Sequence, residues 1–162
     1  GDTFANPEIY LRGTLLSLEV VEIGIETRFT IPAANNSKFG WTPGVPVRVH
    51  IPHIARLDTG VYVPFTFADS TIYAFDIPAD LWFPFGDAFF GPILGFRFNH
   101  LPNTADGDNH ADIRLGVGGG YTVGGFIDLK AQIYAASINH NPGDQSWTNT
   151  IGMGFGVGIR IP

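Results

Sequence analysis

The sequence predicts an all-β protein: an antiparallel up-and-down transmembrane β-barrel of about eight strands. Three observations predict it. The first is the stretch from Thr150 to Ile161. Ile151, Met153, Phe155, Val157, Ile159 and Ile161 alternate there with Gly152, Gly154, Gly156, Gly158 and Arg160. Side chains of a strand point to opposite faces in turn, so one face is apolar and the other nearly empty. A soluble sheet would clothe its second face with Lys, Glu and Thr. A strand with lipid outside and a tight polar interior shows this inverted pattern. The second observation is composition: only 15% of residues are charged while 44% are hydrophobic and 14% aromatic, against about 25% charged in soluble domains. The third is the absence of a sustained helical period and of any run of about 18 apolar residues that could form a membrane helix.

The elements follow in order. Residues 1–7 are a short polar tail to a single domain that spans 1–162. From Val21 to Ile31, Val21, Ile23, Ile25, Phe29 and Ile31 oppose Glu22, Gly24, Glu26, Arg28 and Thr30. Upstream the register breaks, because Leu16, Leu18 and Val20 fall on the polar parity and Ser17 and Glu19 on the apolar one. A slip of one residue flips every side chain, so a bulge or a tight turn is expected near Leu16–Glu19. One long bulged strand and a hairpin of two both satisfy this. Pro32–Pro46 reads as a long loop. Val47–Leu57 alternates with Arg48, His50 and Arg56 on the polar side, and Asp58-Thr59-Gly60 reads as a turn. Val61, Val63, Phe65 and Phe67 face outward on the next strand, which stops near Asp69-Ser70.

Thr71–Phe85 sets Tyr73, Phe75, Ile77, Leu81, Phe83 and Phe85 against Asp76, Asp80 and Trp82, and Gly86-Asp87 turns. Ala88–Asn99 puts Phe90, Leu94, Phe96 and Phe98 outward and Gly91, Gly95, Arg97 and Asn99 inward. Residues 101–109 form a loop. Ala111–Tyr121 opposes Ile113, Leu115 and Val117 to Asp112, Arg114, Gly116, Gly118 and Gly120. After a turn at Thr122–Gly125, Ile127–Ile138 opposes Ile127, Leu129, Ala131 and Ile133 to Asp128, Lys130 and Gln132. Asn139–Ser146 is a third long loop. Connections thus alternate in length, except for a short link at Asp69-Ser70, as outer-membrane barrels alternate short periplasmic turns with longer external loops. Starting the count at Val21 gives about eight strands with both chain ends on one side. A separate Glu8–Leu16 strand gives about nine, or ten with a strand from outside this sequence.

In this pattern the sequence resembles the small outer-membrane β-barrel proteins of Gram-negative bacteria. The resemblance rests on alternation and loop lengths over most of the chain. It implies a bacterial outer-membrane location, membrane lipid as the surrounding partner, and a structural barrel or narrow porin-like channel; a homo-oligomer is left open. Members of that class end in an aromatic residue, whereas this sequence ends Arg160-Ile161-Pro162. A start at Gly1-Asp2 reads as a mature or trimmed chain without a signal peptide. Two other readings stay open. One is a soluble antiparallel β-sandwich or barrel that binds or self-assembles outside the cell. The other is an outer-membrane lipid-modifying enzyme.

The candidate site is the polar face. Glu22, Glu26, Asp76, Asp80, Asp112 and Asp128 share inward parity with Arg28, Arg48, Arg56, Arg97, Arg114, Lys130 and Arg160. Unpaired buried charges cost several kcal/mol, so these side chains are expected to pair, either as a salt-bridge network filling the interior or as the lining of a pore. Trp41, Tyr62, Tyr73, Trp82, Phe83, Phe85, Tyr121, Tyr134 and Trp147 near strand ends are candidates for aromatic girdles at the headgroup level. Tyr62, Trp82 and Tyr134 also have the parity to fill the space that the inward glycines leave.

Other chemistry has weaker support. Asp106-Gly-Asp108-Asn-His110-Ala-Asp112 resembles a fragment of a calcium loop but lacks its glycine and closing glutamate. His100, His110 and His140 lie near the external loops, and Ser137 with His140 has no third member or glycine elbow. No metal, cofactor or catalytic set is predicted. Cysteine is absent, which excludes disulfides, thiol catalysis and zinc-thiolate sites. A net charge of -6 with no basic stripe argues against a nucleic-acid partner.

Overall fold

The computed structural model describes residues 7–33, 38–67, 72–100, 110–125, 127–135, 138 and 151–159. Among them there is no helix, and the strands form one antiparallel, up-and-down, ten-stranded sheet. The strands are β1 (Glu8–Ser17), β2 (Val21–Thr30), β3 (Gly40–Ile51), β4 (Ala55–Tyr62), β5 (Phe65–Thr66), β6 (Ile72–Phe85), β7 (Ala88–His100), β8 (His110–Val123), β9 (Ile127–Ala135) and β10 (Ile151–Ile159). They neighbour one another in chain order, except that β5 lies beyond the end of β4 between β3 and β6. β4 and β5 are therefore one pass broken at Val63-Pro64, and the sheet has nine positions.

The upstream register break is resolved as a hairpin with a bulge. β1 pairs with β2, the register shifts between Thr14 and Leu16, and Leu18 N–H donates to the Val21 carbonyl at 2.8 Å across the turn. From Val21 onward the sheet has the eight positions expected, and the separate β1 upstream makes nine, so the first and last strands start from the same rim and the chain enters and leaves at opposite rims. Two further expectations are corrected. The loop ends before Gly40 instead of at Pro46, and Asp58-Thr59-Gly60 is strand rather than turn. The actual turn is Pro52-His53-Ile54, where His53 has a φ of 62°.

With these changes the connections sort without exception. Strand ends at one rim are joined across two or three residues (18–20, 52–54, 86–87 and 124–126), and those at the other rim are separated by longer stretches of sequence (31–39, 67–71, 101–109 and 136–150). Gly86 (φ 63°), Gly124 (φ 59°) and Gly125 (φ 79°) supply the left-handed backbone that the short turns need.

Proline explains the irregularities. The β2–β3 ladder skips Gly24–Ile25 opposite Val45–Pro46, β4–β6 skips Gly60–Val61 opposite Ile77–Pro78, and β6–β7 skips Leu81–Trp82 opposite Gly91–Pro92. Each gap contains a residue with no N–H to give.

The two faces are inverted relative to a soluble protein. Ile25, Val45, Val61, Phe75, Phe90, Phe96, Val117, Met153, Phe155 and Val157 on the outer face are all exposed, Phe155 at 85%. Apart from Ala55 at the start of β4, the buried side chains lie on the other face: Tyr62, Ala74, Trp82, Phe89, Ile93 and Pro46 together with Glu26 and Asp128. That face is concave. Lys130 of β9 lies within electrostatic range of Asp58 and Arg48, on β4 and β3, although β6, β7 and β8 intervene in the sheet.

Candidate functional site

The site is this concave face, and backbone register assembles it. β2, β3 and β4 bring Glu22, Arg48 and Asp58 onto one row, because Glu22 pairs with Arg48 and Arg48 with Asp58. Arg48 Nε donates to Asp58 Oδ1 at 2.7 Å, and its Nη1 lies 3.5 Å from Glu22. Arg56 reaches the other Asp58 oxygen at 3.2 Å, so one carboxylate serves two guanidiniums. His50 Nε2 lies 3.6 Å from Glu22. Towards the long-link rim, Arg28 holds Glu26 at 2.8 Å and Glu8 at 3.6 Å. Arg114 faces Asp76 at 3.9 Å. Arg97 is in register with both Asp76 and Asp112. Thr122 Oγ1 donates to Asp128 at 2.7 Å. Asp80 lies within electrostatic range of Arg114 and Lys130, while its Oδ1 is buried without a hydrogen bond. Arg160 lies outside the described residues.

A second layer of rings stiffens the charged one. Arg28 stacks over Tyr62 at 5.5 Å, Arg56 over Phe89 at 5.3 Å and Arg114 over Tyr134 at 5.5 Å, measured to ring centroids. Lys130 lies 5.6 Å from Trp82 and 5.9 Å from Phe89. Trp82 meets Phe89 edge to face at 5.4 Å, and with Ile93 they form a small apolar core inside the concave face.

The inward glycines give these groups room. A Cβ on Gly44 would collide with the Tyr62 ring and one on Gly120 with the Phe89 ring. On Gly118 it would lie 2.9 Å from Ile93 and 3.0 Å from Trp82, on Gly152 2.6 Å from Tyr134, on Gly154 2.8 Å from Gln132 and on Gly95 2.9 Å from Arg114. At Gly44 and Gly120, where the neighbour is a ring seated directly on the backbone, only glycine tolerates so close an approach, whereas the Arg114 and Gln132 side chains can move aside. At Gly156 nothing lies within 4 Å. A hollow of about 270 Å³ remains at the short-turn rim, lined among others by His50, His53, Arg56, Trp82 and Phe89.

Sequence reasoning missed several of these residues. Asp58 was hidden in the supposed turn, although Asp58, Gly60 and Tyr62 continue the parity of Arg56. Glu8 was hidden by the bulge upstream of β2. Phe89 and Ile93 share the parity of Gly91 and Gly95, but an apolar side chain on a polar face carries no obvious signal.

Of the expected girdle residues, Tyr62 and Trp82 are buried on the concave face and Tyr134 stacks there under Arg114, because each fills a glycine seat. Trp147 lies outside the described residues. On the outer face two partial aromatic belts form, one across β2 to β6 and one across β6 to β8. At the long-link rim, Phe29, Trp41, Phe65 and Tyr73 are in register across neighbouring passes, with Trp41 and Phe65 stacked at 5.6 Å. At the short-turn rim, Phe85 stacks on Phe90 at 4.8 Å, and the Tyr121 hydroxyl donates to Asp87 at 3.4 Å.

Among the described residues no cluster of three or more acidic or histidine side chains could hold a metal ion, and no helix is long and apolar enough to cross a membrane. Asp106, Asp108, Ser137 and His140 lie outside the described residues. No family model matches the chain, and no curated protein or solved structure is similar to it.

Proposed function

We propose that the chain is an outer-membrane-type β-barrel, with lipid against its outer face and a charge-balanced polar interior, acting as a structural barrel or a narrow channel. The observation that carries this is an exposed apolar band bounded by two partial aromatic belts around a concave charged face. On β6 the belts are twelve residues apart, from Tyr73 to Phe85, about 40 Å along a strand. At a tilt of about 40° this is about 30 Å of height, the thickness of a bilayer's hydrocarbon core. A Gram-negative outer membrane is the setting proposed, and the nine positions depart from the even strand number of the barrels found there. Acids and bases alternate around the interior, and rings occupy much of it. A small, weakly selective conductance is what such a lining supports.

The purified chain is expected to stay monodisperse only in detergent and to migrate faster unboiled than boiled on a denaturing gel. A chain that stays monodisperse without detergent overturns the reading. Its apolar face would then be packed against another subunit in a soluble assembly.

A further inference from the structure

The sheet has two edges, β1 and β10. One unbroken row of paired residues joins them across the outer face: Leu16, Ile23, Val47, Thr59, Ala79, Leu94, Leu115, Ala135 and Ile151. Nine antiparallel positions make the first and the last run in the same direction. Tyr10 of β1 extends its hydroxyl to 2.9 Å from the point where a Cβ on Gly158 of β10 would sit. The sheet therefore curls until its edges come within reach of one side chain.

We infer that β1 and β10 are each other's partners and close the sheet as a parallel seam, with Tyr10 seated on Gly158. This rests on the barrel reading and deepens it, since a closed wall makes the concave face a lumen instead of a trough. The register supplies a test of consistency. Tyr10 lies six residues before Leu16, and Gly158 seven beyond Ile151. Without the one bulge residue between Thr14 and Leu16, the stagger on closure is about twelve residues, or about 40 Å along a strand. Nine positions at about 4.8 Å give about 43 Å across the strands. The ratio sets a strand tilt of about 43°, within the 35–45° of closed barrels. A seam between copies would gain nothing in direction, because copies inserted in the same sense also present parallel edges.

The absence of cysteine makes the test direct. The full chain carrying Tyr10→Cys and Gly158→Cys is folded into phosphatidylcholine vesicles and treated with a short bismaleimide. A second pair, Ile9→Cys with Val157→Cys, probes the same stagger from the outer face. A third, Tyr10→Cys with Gly152→Cys, is displaced by six residues. The first two pairs are expected to cross-link within one chain at least tenfold faster than the third. Cross-links only between chains would overturn the seam in favour of pairing between copies. Absence of cross-links in both in-register pairs, with the folded gel mobility retained, would overturn it in favour of an open edge or an intervening strand; insertion into vesicles would still support the membrane reading. Intrachain cross-linking of a chain that needs neither detergent nor lipid would keep the seam and remove the membrane.

Discussion

Replacing Trp82 by alanine tests how much of the interior is held by rings. Trp82 is 3% exposed, meets Phe89 edge to face, lies beneath the Lys130 ammonium and fills the space over Gly118. Removal of a buried aromatic of this size costs about 3–5 kcal/mol. One feature pulls the other way. The indole Nε1 is buried with no hydrogen-bond partner, and such an orphan donor costs about 1–3 kcal/mol. The net loss for Trp82→Ala should therefore be about 3 kcal/mol. Trp82→Phe keeps a ring and deletes the orphan donor, so it should change stability by less than about 1 kcal/mol. Reversible urea unfolding in lipid vesicles measures both. The same two proteins in planar bilayers supply an independent reading. Trp82 already lines the hollow at the short-turn rim, and its truncation lengthens that hollow toward Gly118. Trp82→Ala should raise conductance severalfold while Trp82→Phe leaves it unchanged. An alanine variant as stable as the parent with the same conductance would refute the assignment of this ring to the packed interior.

Three further outcomes are expected. Phe155→Arg should destabilise the vesicle-embedded protein by about 2–4 kcal/mol if the residue faces the bilayer midplane, whereas Gly156→Ala, with nothing within 4 Å, should change stability by less than about 0.5 kcal/mol; urea midpoints compare them. Asp58→Ala leaves Arg48 and Arg56, each with an ion pair to it, short of their shared acid, and the loss should be about 3–5 kcal/mol by the same unfolding measurement. Gly44→Ala drives a methyl into the Tyr62 ring and should cost about 1–3 kcal/mol. Most of that loss should vanish in the background of Tyr62→Leu, and a double-mutant cycle that shows simple additivity would contradict the seating of that ring on that glycine.

Side-chain alternation carried most of the fold. β2, β6, β7, β8, β9 and β10 follow directly from it, and so does the placement of Arg48, Arg56, Arg114, Asp76 and Lys130 on one face. What sequence reasoning missed has local causes. Leu15 is the extra residue of a bulge, and it scrambled the parity that would have announced β1. Pro43 and Pro46 read as loop because proline breaks ladders, yet here the broken ladder is retained inside β3 and the ring of Pro46 is buried beside Gly24. Asp-Thr-Gly has the composition of a turn, while the actual turn at Pro52–Ile54 contains no glycine. The mistaken turn then removed Asp58 from the site. The inward positions of Phe89 and Ile93 follow from parity alone, but their role depends on glycines of β8, which no local pattern in β7 reveals.

The turns at the short-turn rim have a consequence for how the chain can assemble. They divide it into four hairpins, β1–β2, β3–β4, β6–β7 and β8–β9, each closed by two or three residues. Such units form locally within microseconds, because little chain entropy is lost in closing them. β10 has no sibling. It is separated from β9 by residues 136–150, the longest connection in the chain, and three of its four inward glycines, Gly152, Gly154 and Gly158, gain their contacts only when Tyr134, Gln132 and Tyr10 lie over them. The strand with the plainest alternation in the sequence is thus the one least able to form alone. Its arrival requires β9 and β1 to be already in place, which makes it a late event of folding.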